Sequence, residues 1–339
     1  MSRQPGLFET AAVPPPKRRA SGAGEVRSAT NSPLLGAPDL PVDIRLGTSS
    51  WFFPGWRGLV YDGVHPQVTL SRKGLAAYGE IPLLRTVSLD RTFYAPISAV
   101  DYARYAGQVP EHFSFVVKAP ALVCDAVMRD EEGRGKVPNP HFLDAAIATR
   151  EFVLPCLEGL KAKVGPLVFQ ISPLPRSLVE DASFLIERLE AFFAALPREV
   201  GGRTPIYALE LRNPELLTPR LMRMLARAEV RYCIGLHDRM PEVERQETAL
   251  RVLDGEEAGP LVVRWNLHRG FLYQAARQRY EPFDKLVDED GETRRTLARM
   301  AATAHKARRK VWITANNKAE GSAPLSLLKL AQEIAKLIA

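Results

Sequence analysis

Cysteine is scarce in this 339-residue chain, and the three present, Cys124, Cys156 and Cys233, are scattered, with no C-x-x-C spacing. That argues against a disulfide framework or a zinc ribbon and predicts reduced, mostly buried thiols. No apolar run approaches the roughly 20 residues that span a bilayer. The first residues, with Pro5, Gly6 and Glu9, lack the apolar stretch of a secretory signal. A cytoplasmic location without membrane contact is expected. Also missing are the G-x-G-x-x-G turn of dinucleotide-binding sheets, the H-E-x-x-H helix of zinc proteases and the G-x-S-x-G elbow of serine hydrolases. No organic cofactor is signalled.

What is present is ordinary globular composition, 46% hydrophobic and 25% charged, enough for a large core. The formal net charge is +7, of which the first 40 residues carry +2. The excess on the body favours anionic partners, whether phosphates, acidic metabolites or nucleic acid, without choosing among them. Residues 1–41 are rich in Pro, Gly, Ala and Ser, include Pro14-Pro15-Pro16 before Lys17-Arg18-Arg19, and show no periodicity. Such a segment buries too little apolar surface to offset its ordering entropy and reads as a disordered basic tail.

Over residues 42–339 short apolar runs alternate with helical stretches. Eight runs read as buried parallel strands: Ile44–Gly47, Thr86–Leu89, Phe113–Val117, Leu167–Ile171, Ile206–Leu211, Arg231–Leu236, Leu261–Trp265 and Val311–Thr314. Between them, Ser177 with Glu180 has capping-box spacing, and Leu185, Leu189, Phe192 and Leu196 then share one helical face. Thr218 with Pro219, and Ser98 with Asp101, mark two more helix starts. Eight alternations predict an α/β fold, a (β/α)8 TIM-like barrel.

In such a barrel ligands bind where the strands end at their C-termini, so the polar residues there are the site candidates. Glu210, Asp90 and Lys118 are the catalytic candidates: Glu210 because burial raises a carboxyl pKa while a nearby Arg or Lys lowers it, leaving open whether it serves as acid or base. Ser49, Trp51, Tyr94, Gln170, Arg212, His237, Asp238, Arg264, Asn316 and Asn317 are expected to bind substrate, with Arg supplying planar forks for anions and aromatic rings a stacking wall. The bland alternatives are a Lys118–Glu210 ion pair that merely closes the barrel, an Arg264 that needs Asp90 or Glu210 for burial, and amides that satisfy loop backbone. Asp90, Glu210, Asp238, His237 and His268 also include divalent-metal donor types, a secondary expectation.

These strand-end motifs resemble the YecE-like proteins, domain of unknown function 72. The likeness rests on Gly47-Thr48-Ser49-Ser50-Trp51 with Trp56 and Tyr61, Arg91-Thr92-Phe93-Tyr94 and Pro110 through Lys118. It continues through Gly165 to Gln170, Leu209-Glu210-Leu211-Arg212-Asn213-Pro214, and Asn316-Asn317 followed by Ala323-Pro324. The resemblance implies a TIM barrel and supplies no reaction, because the family's activity is not established. Two departures stand out: Val87-Ser88-Leu89-Asp90 where members have V-E-x-N, and Arg264-Trp265-Asn266-Leu267-His268 in place of R-x-H-G. If the Glu absent at Ser88 is catalytic in the family, the resemblance implies a divergent or altered-specificity member.

Gln4-Pro5-Gly6-Leu7-Phe8 resembles the Q-x-x-L-F peptides, with Gln4, Leu7 and Phe8 as anchors, that dock on the bacterial sliding clamp. Three readings follow: an enzyme for an anionic, phosphorylated or sugar-like substrate, a non-catalytic ligand-binding protein, or a hydrolase recruited to DNA repair through the clamp.

Overall fold

Each expected run does form a strand in the computed structural model, which describes residues 25–129, 135–254 and 259–339. The strands are β1 (Ile44–Thr48), β2 (Leu84–Leu89), β3 (Ser114–Lys118), β4 (Val164–Gln170) and β5 (Tyr207–Glu210). Then come β6 (Arg231–Tyr232), β7 (Ile234–Leu236), β8 (Leu261–Trp265) and β9 (Val311–Ala315). All pair in parallel, β1 with both β2 and β9. The sixth run is split at Cys233 into β6 on β5 and β7 on β8, so the ring closes through one interrupted stave. The Cys233 amide keeps contact across the break by donating to the Leu209 carbonyl at 2.8 Å.

Strand side chains alternate between two apolar regions. One set joins the helices in the main core, with Leu46, Val87, Phe115, Leu167, Leu209 and Val263 all buried. The other set, Val116, Val168, Ala208, Cys233, Val262 and Trp312, forms a separate cluster inside the ring. Two residues further along the same strands come Lys118, Gln170, Glu210 and Arg264, so the barrel interior ends in a polar layer. The sixth stave contributes Gly235 to it. A methyl group there would stand 2.8 Å from Glu210 Oε1 and 3.0 Å from Arg212 Nη1, which is why no side chain fits.

Among the described residues eight helices have eight or more residues: α1 (Gln67–Gly79), α2 (Ala99–Ala106), α3 (Ala182–Ala195), α4 (Pro219–Arg227), α5 (Val243–Asp254), α6 (Tyr273–Tyr280), α7 (Gly291–Lys306) and α8 (Ala323–Ile338), with α2 and α4 starting as the sequence predicts. Ser98 caps α2 by accepting from the Asp101 amide, and Thr218 caps α4 by accepting from Leu221.

Two expectations are corrected. Ser177 and Glu180 form no capping box: they lie in a short helix, Arg176–Glu180, where Glu180 pairs with Arg176 at 2.7 Å. The chain bends at Asp181, whose carboxylate accepts from the Phe184 amide and caps α3 instead. The body also begins before the expected boundary at residue 42. From residue 25 the chain lies on the body, with Val26, Leu34 and Leu40 in the main core and the Ala29 amide bonded to Val60 O at 2.9 Å. Singly docked apolar residues leave no periodic trace. Residues 1–24, including Gln4, Leu7 and Phe8, lie outside the described residues. Among the described residues no helix is long and apolar enough to cross a membrane.

Candidate functional site

The polar layer is a chain of alternating charge. Glu210, with no exposed side-chain surface, takes Arg212 Nη1 on Oε1 at 2.6 Å and Arg264 Nη1 on Oε2 at 2.7 Å. Arg264 Nη2 continues to Asp90 Oδ2 at 2.6 Å, and Asp90 Oδ1 accepts from the Ser88 hydroxyl at 2.6 Å. Gln170 Oε1 accepts from Arg212 Nη2 at 3.0 Å and Arg264 Nη1 at 3.3 Å, knitting the two guanidiniums together. Burial pushes the Glu210 carboxyl up, but Arg212 and Arg264 outweigh it and the net shift is downward, so it stays ionised. Burial likewise opposes the Arg264 charge, and Asp90 and Glu210 more than restore it. Glu210 is thus a sealed counter-ion, not an acid or base within reach of a ligand.

The alternative of a Lys118–Glu210 pair that closes the barrel is not realised: the two arginines take both carboxylate oxygens. Lys118 Nζ instead sits 3.4 Å from the centre of the Phe93 ring. Burial lowers its pKa to about 8, with Asp90 and Glu210 pulling it up and Arg264 and Arg212 pushing it down. The folded protein therefore releases this proton at about 8 and the unfolded chain only near 10.5. Between those values the unfolded state holds more protons, so stability rises with pH. Chemical denaturation across that window should show the rise in the wild type and a flatter profile in Lys118→Met; parallel profiles would contradict the assignment.

Beside this layer, over the ends of β1, β2 and β9, opens a cleft of about 760 Å³. Of the residues expected to bind substrate, Ser49, Trp51, Tyr94 and Asn316 line it, together with Asp90. Gln170, Arg212, His237, Asp238 and Arg264 are not on its wall. Asp90 belongs to both: its side chain is 35% exposed, against 3% for Arg264. Trp51 is anchored from behind by its Nε1 donating to Leu70 O at 3.1 Å and stands edge-on to Tyr105. Asn316 bridges Ser49 Oγ at 2.7 Å and Lys318 Nζ at 3.1 Å.

Asn317 is corrected to a structural role. Its Oδ1 accepts from Trp56 Nε1 at 3.2 Å and from the Ala323 amide at 2.9 Å, fastening the start of α8. Trp56 is fully buried with it and offers no stacking face. His237 lies against Asp238; burial, then the Arg212 charge, lowers its pKa to about 4, so it is neutral at pH 7.

The strand-end rule missed Ser88, Tyr273, Arg277 and Lys318, all on the cleft wall. Tyr273 and Arg277 come from helix α6, for which no strand-end signal exists. Lys318 adjoins the Asn316-Asn317 pair, the single hint available. Among the described residues no three His, Cys, Asp or Glu side chains gather as a metal would require. The donors considered are kept apart: Asp90 and Glu210 share Arg264, and His268 Nδ1 lies 2.6 Å from Arg269 O.

A family model described as "protein of unknown function DUF72" matches residues 45–338. Among solved structures, the chain is similar to a DUF72 family protein from Enterococcus faecalis V583, at 18% identity and a TM-score of 0.55, covering 87% of this chain and 95% of that one. It is also similar to one from Thermotoga maritima MSB8, at 17% identity and a TM-score of 0.56, covering 86% and 99%. No curated protein matches the chain.

Proposed function

The chain belongs to the DUF72 family, whose function is unknown, and from its site we propose an enzyme that binds a small anionic, phosphorylated or sugar-like molecule in the cleft. Asp90 is the proton-handling group. The observation that carries this is its double membership: Asp90 faces the cleft while Arg264, itself held by Glu210, fixes its carboxylate. A carboxylate clamped by a buried guanidinium needs no reorganisation to accept a proton from a bound hydroxyl.

The cleft chemistry suits the substrate class. Trp51, Phe52, Tyr94 and Tyr273 offer ring faces or edges to a sugar or base, and Arg91 and Arg277 supply positive charge for an anionic end. Glu210, Arg212, Arg264 and Gln170 position; they do not touch the substrate. Ser88 orients Asp90 from the position where the resembled pattern has Glu, which supports a changed specificity.

Calorimetric titration with sugar phosphates, nucleotides and the matching neutral sugars is the test. Binding of the phosphorylated compounds, followed by their conversion, is expected. Binding without conversion would favour the non-catalytic reading, and no binding by any of them would refute the proposal.

Two further readings belong here. The three thiols are free and buried, which supports a reducing, cytoplasmic setting. The Gln4, Leu7 and Phe8 pattern supports recruitment to a sliding clamp, and so proximity to nucleic acid. Purified clamp should bind the wild type and not the Leu7→Ala, Phe8→Ala double variant; equal binding by both would remove the contact.

A further inference from the structure

Lysines in a folded protein are usually paired or solvated, as Lys329 is paired with Glu289 at 2.7 Å. Lys318 is placed otherwise. It is 5% exposed and lies on the cleft wall, and among the described residues its amine makes one hydrogen bond, to the uncharged Asn316 Oδ1 at 3.1 Å. Its Nζ stands 4.2 Å from the centre of the Tyr273 ring and 6.0 Å from that of Phe283. Among the described residues no carboxylate pairs with it: Glu281, the acidic neighbour, is taken by Arg277 at 2.9 Å. An amine desolvated by rings and set beside a second cation is the environment that turns lysine into a nucleophile.

The geometry points to Lys318 as an imine-forming amine, which makes the cleft a site for small aldehydes or ketones carrying an anionic group. This rests on the cleft being the ligand site. The neutral amine attacks the carbonyl carbon, the carbonyl oxygen takes up protons and leaves as water, and a C=N bond to Nζ remains. No oxidant or reductant is consumed. Asp90 and Tyr273 face the same space and are available for the proton transfers. Burial, then the Arg277 charge, lowers the Lys318 pKa to about 8, so a substantial fraction is neutral near physiological pH.

The test uses the full chain with glyceraldehyde 3-phosphate, reduction by borohydride and mass-spectrometric mapping of the adduct. Lys318 should carry it in preference to Lys329 and Lys336 by about tenfold or more, with labelling half-maximal near pH 8. Lys118, with a similar pKa but outside the cleft, is an internal control. Unphosphorylated glyceraldehyde should label Lys318 more slowly. Lys318→Arg should keep the fold and lose the adduct. Label on Lys118, label spread over surface lysines, or no label would each overturn the assignment. Phosphorylated ligands that still bind by calorimetry while Lys318 stays unlabelled would leave the cleft proposal standing and remove the amine alone.

Discussion

Glu210→Ala is expected to lower the unfolding free energy by about 3–5 kcal/mol, the usual cost of removing one partner from a buried ion pair. The reason is local. Arg212 and Arg264 both lose their carboxylate acceptor inside the barrel, where Gly235 leaves no room for another side chain and Gln170 offers one shared oxygen. Glu210→Gln should recover only part of the loss, since its amide turns an NH2 toward one of the two guanidiniums. Urea unfolding with linear extrapolation measures both. Because the Glu210 carboxyl is lowered in the folded state, its contribution is present above the ordinary value of 4.5 and lost as pH falls through the folded one. A loss below about 1 kcal/mol in the alanine variant would mean that the layer is hydrated and weakly coupled.

Asp90→Asn is expected to reduce turnover of a cleft substrate by about 10² to 10⁴-fold while leaving binding and fold nearly intact. The side chain is partly exposed, its shape is conserved by Asn, and the amide oxygen can still face Arg264 Nη2. What disappears is the ability to take a proton from the ligand. Steady-state kinetics should therefore show kcat falling with KM little changed. An unchanged kcat would transfer the proton step to another group and reduce Asp90 to a counter-ion.

The fold was largely legible because buried parallel strands are short apolar runs. Leu261–Trp265 was placed to the residue, and the other runs to within a few. The polar strand ends were legible too, but their division was not. Glu210, Arg264, Lys118 and Gln170 share the inward parity of Ala208, Val262, Val116 and Val168, so they crown the barrel interior. Ser49, Trp51 and Asn316 lie past the strand ends and turn toward the cleft. Neighbouring residues with the same chemistry took opposite fates: Asn316 reaches the cleft and Asn317 fastens a helix. Lys318 and the α6 residues Tyr273 and Arg277 were hidden because distant chain segments supply the cleft's far wall.

The central claim is that the cleft binds the substrate against an Asp90 fixed by the Glu210–Arg264 pair. A crystal structure with a sugar phosphate bound tests it most directly. The expected result is a ligand beside Trp51 and Tyr273, a hydroxyl on Asp90, its phosphate toward Arg91 or Arg277, and the Asp90–Arg264 contact intact. A ligand seated elsewhere, or one in the cleft with Asp90 turned away from it, would contradict the claim.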